Sequence, residues 1–547
     1  MIIPTNSVGF PSKLSGSISR ANGVKSITHI FSDAKVPETV APPGLRIHDG
    51  FFNQTVDHFG SQKGINGSWF NQYYMISDSY YKQGGPVFFF IAGEDVADSS
   101  FLTGGVGSIL SSLMPRYNGL AVSLEHRFYG ANAPNSTGRS VPTADLSPTS
   151  LQLLTSEQAI EDMAAFVEQF PRTFPQYNTS NTTKWIAIGG SYPGALSAWF
   201  IEKHPTLIHA AHASSAPVLL ENNFWRYSYA VDAGMTFESN LIYGNSNACM
   251  KGWTTAVKAL DSAITSLQSN ATALKHFQSF FWLSQITNAY DFAQIVTTVF
   301  ATTVQYYPQD DLFYSTAAVA DDGTPNNVTL LAVACSGKYF PAFVDPASSE
   351  SILLKTLQNF TIARLKASGI SGDSDPAVAI QNTVAITDWS YLGAAEYLWT
   401  YQACNEFGYG QVAQPLTAAG LIEDWSVYSQ FYNVSAYESD CQVLGLKSNK
   451  TAIGGGNYGG LNISTPNIMW VNGQYDPWHW LSNFATAPNP KLQTSFLYEN
   501  GSHCNDLWGP IKVTGASAAI GGWPHVTQSY EDEFFEKIFA QYDVWIN

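Results

Sequence analysis

The chain has 547 residues, too many for one simple core, so two domains or one domain with a large insertion are expected. Only 13% of residues are charged, yet no apolar run of about 18 residues marks a membrane-spanning helix. A net charge of −17 without any basic stripe excludes a nucleic-acid partner. Residues 1–45, rich in Ser, Pro and Gly, read as an extended or mobile leader. The start Met1-Ile2-Ile3-Pro4-Thr5 lacks the basic and long apolar regions of a signal peptide, so a removed signal or a truncated start is expected. Residues 86–92 and 119–124 are continuous apolar runs, the pattern of strands buried on both faces of a parallel sheet. A helix opens at Thr155-Ser156-Glu157-Gln158, resembling a capping box, and runs to Phe170 before Pro171. A strand at Trp185–Ile188, a helix at Ala195–Phe200 and a strand at His209–His212 continue the alternation. From about 221 to 440 the texture is helical, as in 254–267, 351–367 and 394–402. Strands return at 467–471 and 494–498, and a helix at Glu531–Phe539 closes the chain. A mostly parallel sheet with flanking helices follows from this order.

Between the strand ending at Ile188 and its helix stands Gly189-Gly190-Ser191-Tyr192-Pro193-Gly194. A serine on a sharp strand-to-helix bend, with small neighbours that permit the bend, is the nucleophile elbow of α/β-hydrolases. The usual pattern places glycine two residues after the serine, where Pro193 stands here. Proline suits the first turn of a helix, whose N–H groups have no intrahelical partner. A serine hydroxyl needs an imidazole to accept its proton, and the imidazole needs a carboxylate to hold its tautomer. Asp476 follows the strand 467–471, and His503 follows the strand 494–498, giving the order Ser, Asp, His that this fold requires. Backbone N–H groups of Tyr192 and of the loop at Gly93-Glu94 would form the oxyanion hole. Asp506 is a second candidate acid, but its place three residues after His503 suits a loop brace. His126, His204, His209, His212 and His525 read as structural.

Asn-x-Ser/Thr sequons begin at Asn53, Asn66, Asn135, Asn178, Asn181, Asn270, Asn327, Asn359, Asn433, Asn449, Asn462 and Asn500. A chain so poor in charge gains solubility from glycans, with about half the sites expected to be used, which points to a secreted glycoprotein. Five cysteines, Cys249, Cys335, Cys404, Cys441 and Cys504, leave one unpaired in such a protein. No Cys or His pair has zinc spacing, so neither a metal nor a cofactor is expected.

Six strings together carry a family likeness: Glu125–Gly130, Leu154–Ala159, Gly189–Tyr192, Tyr401–Glu406, Asn472–Trp478 and Gly501–Leu507. In this order, across roughly residues 50 to 540, they resemble the prolyl carboxypeptidase and dipeptidyl peptidase II family of serine peptidases. The last two are most similar to the fungal branch, which includes acid prolyl endopeptidases. The resemblance implies an α/β-hydrolase core, residues 46–220 and 441–547, with a helical cap inserted at 221–440. It implies cleavage of proline-containing peptides after proline or alanine at acidic pH, in vacuoles, lysosomes or outside the cell. No membrane anchor is expected, and the chain would act as a monomer or homodimer. It implies a Cys404–Cys441 disulfide and a Cys249–Cys335 disulfide, with Cys504 left as a small buried hydrophobe.

The family also suggests aromatic walls for a proline slot, at Tyr192 and Trp478, with Trp508 as a further candidate. The loop Gly93-Glu94-Asp95-Val96 departs from the Gly-Asn-Glu-Gly of many exopeptidases in the family. Glu94 is nevertheless a candidate anchor for a substrate ammonium. Cys504 replaces a histidine that often follows the catalytic one. Removal of dipeptides, removal of C-terminal residues and internal cleavage remain open from sequence. An esterase or lipase on the same fold, and a non-catalytic binding protein, are the alternatives.

Overall fold

The computed structural model describes residues 45–547, apart from 63–66, 103–107, 134–138, 238, 241–243, 287, 307–329, 368–369, 376–393, 416–425, 447–457, 485, 500 and 511–526. His525 and the sequons at Asn66, Asn135, Asn327, Asn449 and Asn500 therefore lie outside the described residues, as does leader segment 1–44.

Eight strands form one sheet: β1 (Ile47–Thr55), β2 (Trp69–Ser77), β3 (Val87–Ile91), β4 (Leu120–Leu124), β5 (Trp185–Gly190), β6 (Ala210–Ser214), β7 (Ile468–Gly473) and β8 (Thr494–Tyr498). Their spatial order is β1-β2-β4-β3-β5-β6-β7-β8. β1 and β2 run antiparallel to their neighbours, and from β4 to β8 every pairing is parallel. β3, β4, β5, β6 and β7 are buried along their whole length. That burial explains why they read as unbroken apolar runs.

Helices cover both faces. On one side α1 (Leu110–Tyr117) joins the C-terminal helix, whose Phe535, Ile538 and Tyr542 pack with Phe88, Ile186 and Met469. On the other, α2 (Ser156–Thr173) and α3 (Tyr192–Lys203) pack with Phe89, Val122 and Ala187. This is an α/β-hydrolase arrangement, with the strand order and crossovers that place the β5–α3 turn mid-sheet. Between β6 and β7 the described chain adds helices and no strand of the sheet. They are α4 (Arg226–Phe237), α5 (Ala248–Leu267), α6 (Ala271–Ser279), α7 (Ala289–Thr297), α8 (Ala301–Tyr306), α9 (Leu330–Cys335), α10 (Glu350–Ala367), α11 (Ala394–Gln402) and α12 (Val434–Val443). Trp253 of α5 anchors this layer against Phe300, Phe343 and Phe360. Disulfides join Cys249 to Cys335 and Cys404 to Cys441, leaving Cys504 as the free, buried thiol. After β8 the chain closes with α13 (Gln528–Ile546).

Two local readings change. The helix expected to stop at Phe170 continues through Pro171 to Thr173. Proline in a last turn forfeits only its own N–H bond, and Phe174 N–H still donates to Phe170 O. Thr155 Oγ1 accepts from Gln158 N–H, as a cap should, but the Gln158 side chain turns away to His58 N–H and Asp57. Glu406, from the π-turn Ala403–Phe407, instead accepts the Ser156 N–H. The antiparallel pair β1–β2 was not among the expected strands.

Candidate active site

Ser191 stands at the bend between β5 and α3 with φ +63° and ψ −131°, a backbone region rarely populated by residues other than glycine. Its N–H donates to Ser214 O of β6, and its C=O accepts Ala195 N–H to start the helix. Close packing dictates the neighbours. A Cβ at Gly189 would lie 2.2 Å from Pro193 O, and one at Gly190 would lie 2.8 Å from Cys504 Sγ. Larger residues would force the bend open.

The loop after β7 brings Asp476 in by a second local device. Asp476 Oδ1 accepts Trp478 N–H at 2.9 Å, opening the short helix Pro477–Leu481. The same oxygen lies 2.9 Å from His503 Nδ1. Tyr475 N–H donates to Gly501 O and Gln474 N–H to Tyr498 O, so the two loops are joined by backbone bonds as well. Ser191, Asp476 and His503 are 0%, 0% and 1% exposed. Ser191 Oγ, His503 Nε2 and Asp476 Oδ2 are buried with no hydrogen-bond partner among the described residues. Burial lowers the imidazole pKa of His503, opposed by the Asp476 carboxylate.

The helical layer reaches this loop directly. His503 N–H donates to Gln305 O, and Ser502 Oγ–H donates to Val304 O, both on α8. Tyr306 sets its ring edge-on to His503 at 5.7 Å between centroids. Gln305 Oε1 accepts from Trp478 Nε1–H and from Tyr227 O–H, so it links α8, α4 and the Asp476 loop. Trp478 is fully buried among Phe224, Tyr227 and Tyr409. Trp508 is half-buried at the end of the turn Asn505–Trp508.

Gly93 lies against the start of α3, where an added Cβ would approach Pro193 Cγ to 2.4 Å. Glu94 beside it is buried, its Oε1 has no hydrogen-bond partner among the described residues, and burial raises its carboxyl above the usual range. The Tyr192 side chain is wholly buried, with its hydroxyl within 2.9 Å of His126 Nε2, 3.1 Å of Ser156 Oγ and 2.8 Å of Gln402 Nε2. Gln402 also donates to Glu406, which caps α2. Sequence reasoning assigned no role to Gln402, Glu406 or Gln305; the first two lay in a recognised string, Tyr401–Glu406, and Gln305 carried no signal.

The other candidates fall elsewhere. Asp506 is engaged by His212 Nε2 at 2.8 Å and by Ser214 Oγ–H at 2.6 Å. His204 pairs with Glu161, and His209 Nε2 meets Trp545 O. Of the described sequons, Asn53, Asn178, Asn181, Asn270, Asn359 and Asn462 are exposed and Asn433 is half-buried.

A family model described as Serine carboxypeptidase S28 matches residues 54–515. The chain belongs to this family. S28 membership makes it a hydrolase of the serine-peptidase class. It is 29% identical over 498 residues to a Caenorhabditis elegans protein named as a serine protease, covering 87% of this chain and 88% of that one. It is 26% identical to the mouse thymus-specific serine protease, with 90% and 88% covered. Human lysosomal Pro-X carboxypeptidase is 28% identical over 432 residues, with 78% and 77% covered.

Proposed function

We propose that this S28 chain hydrolyses peptide bonds after proline or alanine, with Ser191 as nucleophile, His503 as base and acid, and Asp476 as the carboxylate that orients it. The observation that carries the reading is the strained bend at Ser191, whose neighbour Gly190 packs against Cys504, the residue after an imidazole already tied by Nδ1 to Asp476. Ser191 Oγ attacks the acyl carbon while His503 Nε2 takes its proton. The oxyanion is met by the Tyr192 and Gly93 N–H groups, each donor lowering the barrier by about 3–4 kcal/mol. Collapse expels the amine, which leaves with the proton from His503, and water then releases the acyl group by the reverse proton path.

Tyr192 and Trp478, the latter packed among Phe224, Tyr227 and Tyr409, are candidate walls for a proline ring, with Trp508 a further one. Glu94 is the candidate partner of a substrate ammonium. Because burial lowers the His503 pKa, its base form persists to lower pH, which suits an acidic compartment. With relatives named as lysosomal, a lysosomal, vacuolar or secreted location follows. The chain would act as a monomer or homodimer on proline-containing peptides and needs no cofactor for this chemistry.

Ser191→Ala is the first test. It should lower kcat on a prolyl reporter peptide by about 10^4-fold or more with an unchanged circular-dichroism spectrum. Retained turnover in that variant would remove Ser191 from the mechanism. Mass analysis of a proline peptide blocked at both ends, then free at either end, separates internal cleavage from trimming of either terminus.

A further inference from the structure

The outer face of the β1–β2 hairpin carries aromatic surface at the edge of the sheet. Side chains alternate along both strands, with Phe52, Gln54, Phe70 and Gln72 inward and Phe51, Asn53, Trp69 and Asn71 outward. Phe51 and Trp69 are each 57% exposed. In register, Phe51 faces Tyr73, Asn53 faces Asn71, and Thr55 faces Trp69. Asn53 therefore stands on the same face as both exposed rings. Phe51 is two residues before it, and Trp69 is one diagonal step away, within reach of a large side chain or substituent. Asn53-Gln54-Thr55 is a sequon, so the acceptor side chain stands between the two exposed rings.

We propose that Asn53 is N-glycosylated and that the first sugar ring of its glycan lies over Phe51, becoming part of the hairpin's packing. The donor is an oligosaccharide linked through N-acetylglucosamine to a lipid diphosphate. Asn53 Nδ2 attacks the anomeric carbon, the N–C bond forms and the C–O bond to phosphate breaks. The lipid diphosphate leaves with the bonding pair, and the amide proton passes to a base of the transferase. Thr55 supplies the hydroxyl that the acceptor sequence requires. One face of the sugar presents C–H groups, which suit the negative face of an aromatic ring. Such cover removes apolar surface from water, and it shields the edge of β1, which no described strand pairs, from a second strand.

The other described sequons lack this combination. Asn433 also has an aromatic residue, Phe431, two positions before it. Its Oδ1, however, caps α12 through Ser435 and Ala436 N–H, and its Nδ2 donates to Gln430 O at 3.1 Å. At the exposed sequons beginning at Asn178, Asn181, Asn270, Asn359 and Asn462, the residue two positions earlier is not aromatic.

The inference rests on passage through a glycosylating compartment, so the test supplies one. The full chain is secreted from a glycosylating host behind an added signal peptide, and glycopeptides are mapped by mass. Thermal unfolding and amide exchange of residues 47–55 and 69–77 are then compared for four proteins: wild type, Asn53→Gln, Phe51→Leu, and the double variant. Asn53 should be occupied, and Asn53→Gln should lower the unfolding temperature and speed exchange in the hairpin. In the Phe51→Leu background the same substitution should have a clearly smaller effect. Thr55→Val, which keeps Asn53 but destroys the sequon, should match Asn53→Gln. Enzymatic trimming of the wild type to a single N-acetylglucosamine should leave hairpin protection intact. An unmodified Asn53 in a chain glycosylated at Asn178 or Asn270 would overturn the proposal while leaving the secretory reading untouched. Equal losses in both backgrounds, or none in either, would overturn the stacking. Dimer formation by Asn53→Gln with hairpin exchange still protected would make a second chain the occupant and would also overturn it.

Discussion

Cys504 follows the candidate catalytic histidine directly, yet its surroundings make it a poor nucleophile. Burial lifts its thiol well above the usual range, and Asp476 and Asp506 push in the same direction. Its sulfur fills the space that Gly190 leaves open. Native protein at pH 8 should therefore resist iodoacetamide, and a single equivalent should react only after unfolding in denaturant without reductant. Rapid labelling of the native thiol would show that a thiolate is accessible beside His503. The imidazole itself offers a second test. An unperturbed histidine titrates near about 6.5, and burial moves His503 below that value. Since only the neutral ring accepts the serine proton, the acid limb of kcat/KM should lie below that of an ordinary histidine. A limb at or above neutrality would contradict it.

At the scale of elements, the start of α3 is tied to the start of α2 and to the π-turn after α11 through one hydroxyl. Tyr192 O–H meets His126, Ser156 and Gln402, and Gln402 bonds in turn to Glu406. Tyr192→Phe leaves these buried groups short of a partner, with an expected stability loss of about 1–3 kcal/mol in urea unfolding. Because the amide of the same residue is the proposed oxyanion donor, kcat should fall while KM stays near the wild-type value. Unchanged stability would show that the hydroxyl is dispensable to the joint.

This joint was invisible in the sequence because its bonded partners lie far apart, Ser156 and Glu406 by 250 residues. The β5–α3 bend was legible because it is local: an apolar strand, two glycines and a serine occupy consecutive positions. Asp476 and His503 were legible as residues that follow strands, and the structure does bring them into a hydrogen bond. β1 and β2 were not, because their pattern is inverted. Gln54 and Gln72 point inward and bond to each other at 2.9 Å, while Phe51 and Trp69 point outward. An alternation of apolar and polar residues cannot be recognised when the buried face holds paired amides.

For the molecule as a whole, two buried groups oppose each other across the acidic range. Burial raises Asp261 of α5 to about 6, against hydrogen bonds from Ser429 and Gln430 that lower it. The folded state thus holds a proton that the unfolded state releases near about 4, and this contribution fades as pH rises through about 6. His126 behaves in the reverse sense. Burial lowers it to about 4, so the unfolded chain binds the extra proton below pH 6.5 and stability falls as pH drops toward 4. Asp261→Asn removes the first effect and leaves the second. Its stability should rise more steeply between pH 4 and 6.5 than that of the wild type, by about 2–3 kcal/mol over the interval. Denaturant midpoints at the two pH values check this, and an unchanged slope would assign the proton elsewhere.

The backbone bonds from His503 to Gln305 and from Ser502 to Val304 carry a consequence for engineering. The helical layer supplies carbonyl acceptors to the loop that holds the imidazole, so it is not an interchangeable module. A chimera that borrows a relative's helices to change substrate preference would have to transplant residues 304–305 and 502–503 as one matched set. Exchanging the helices alone would take away the acceptors that anchor the His503 loop.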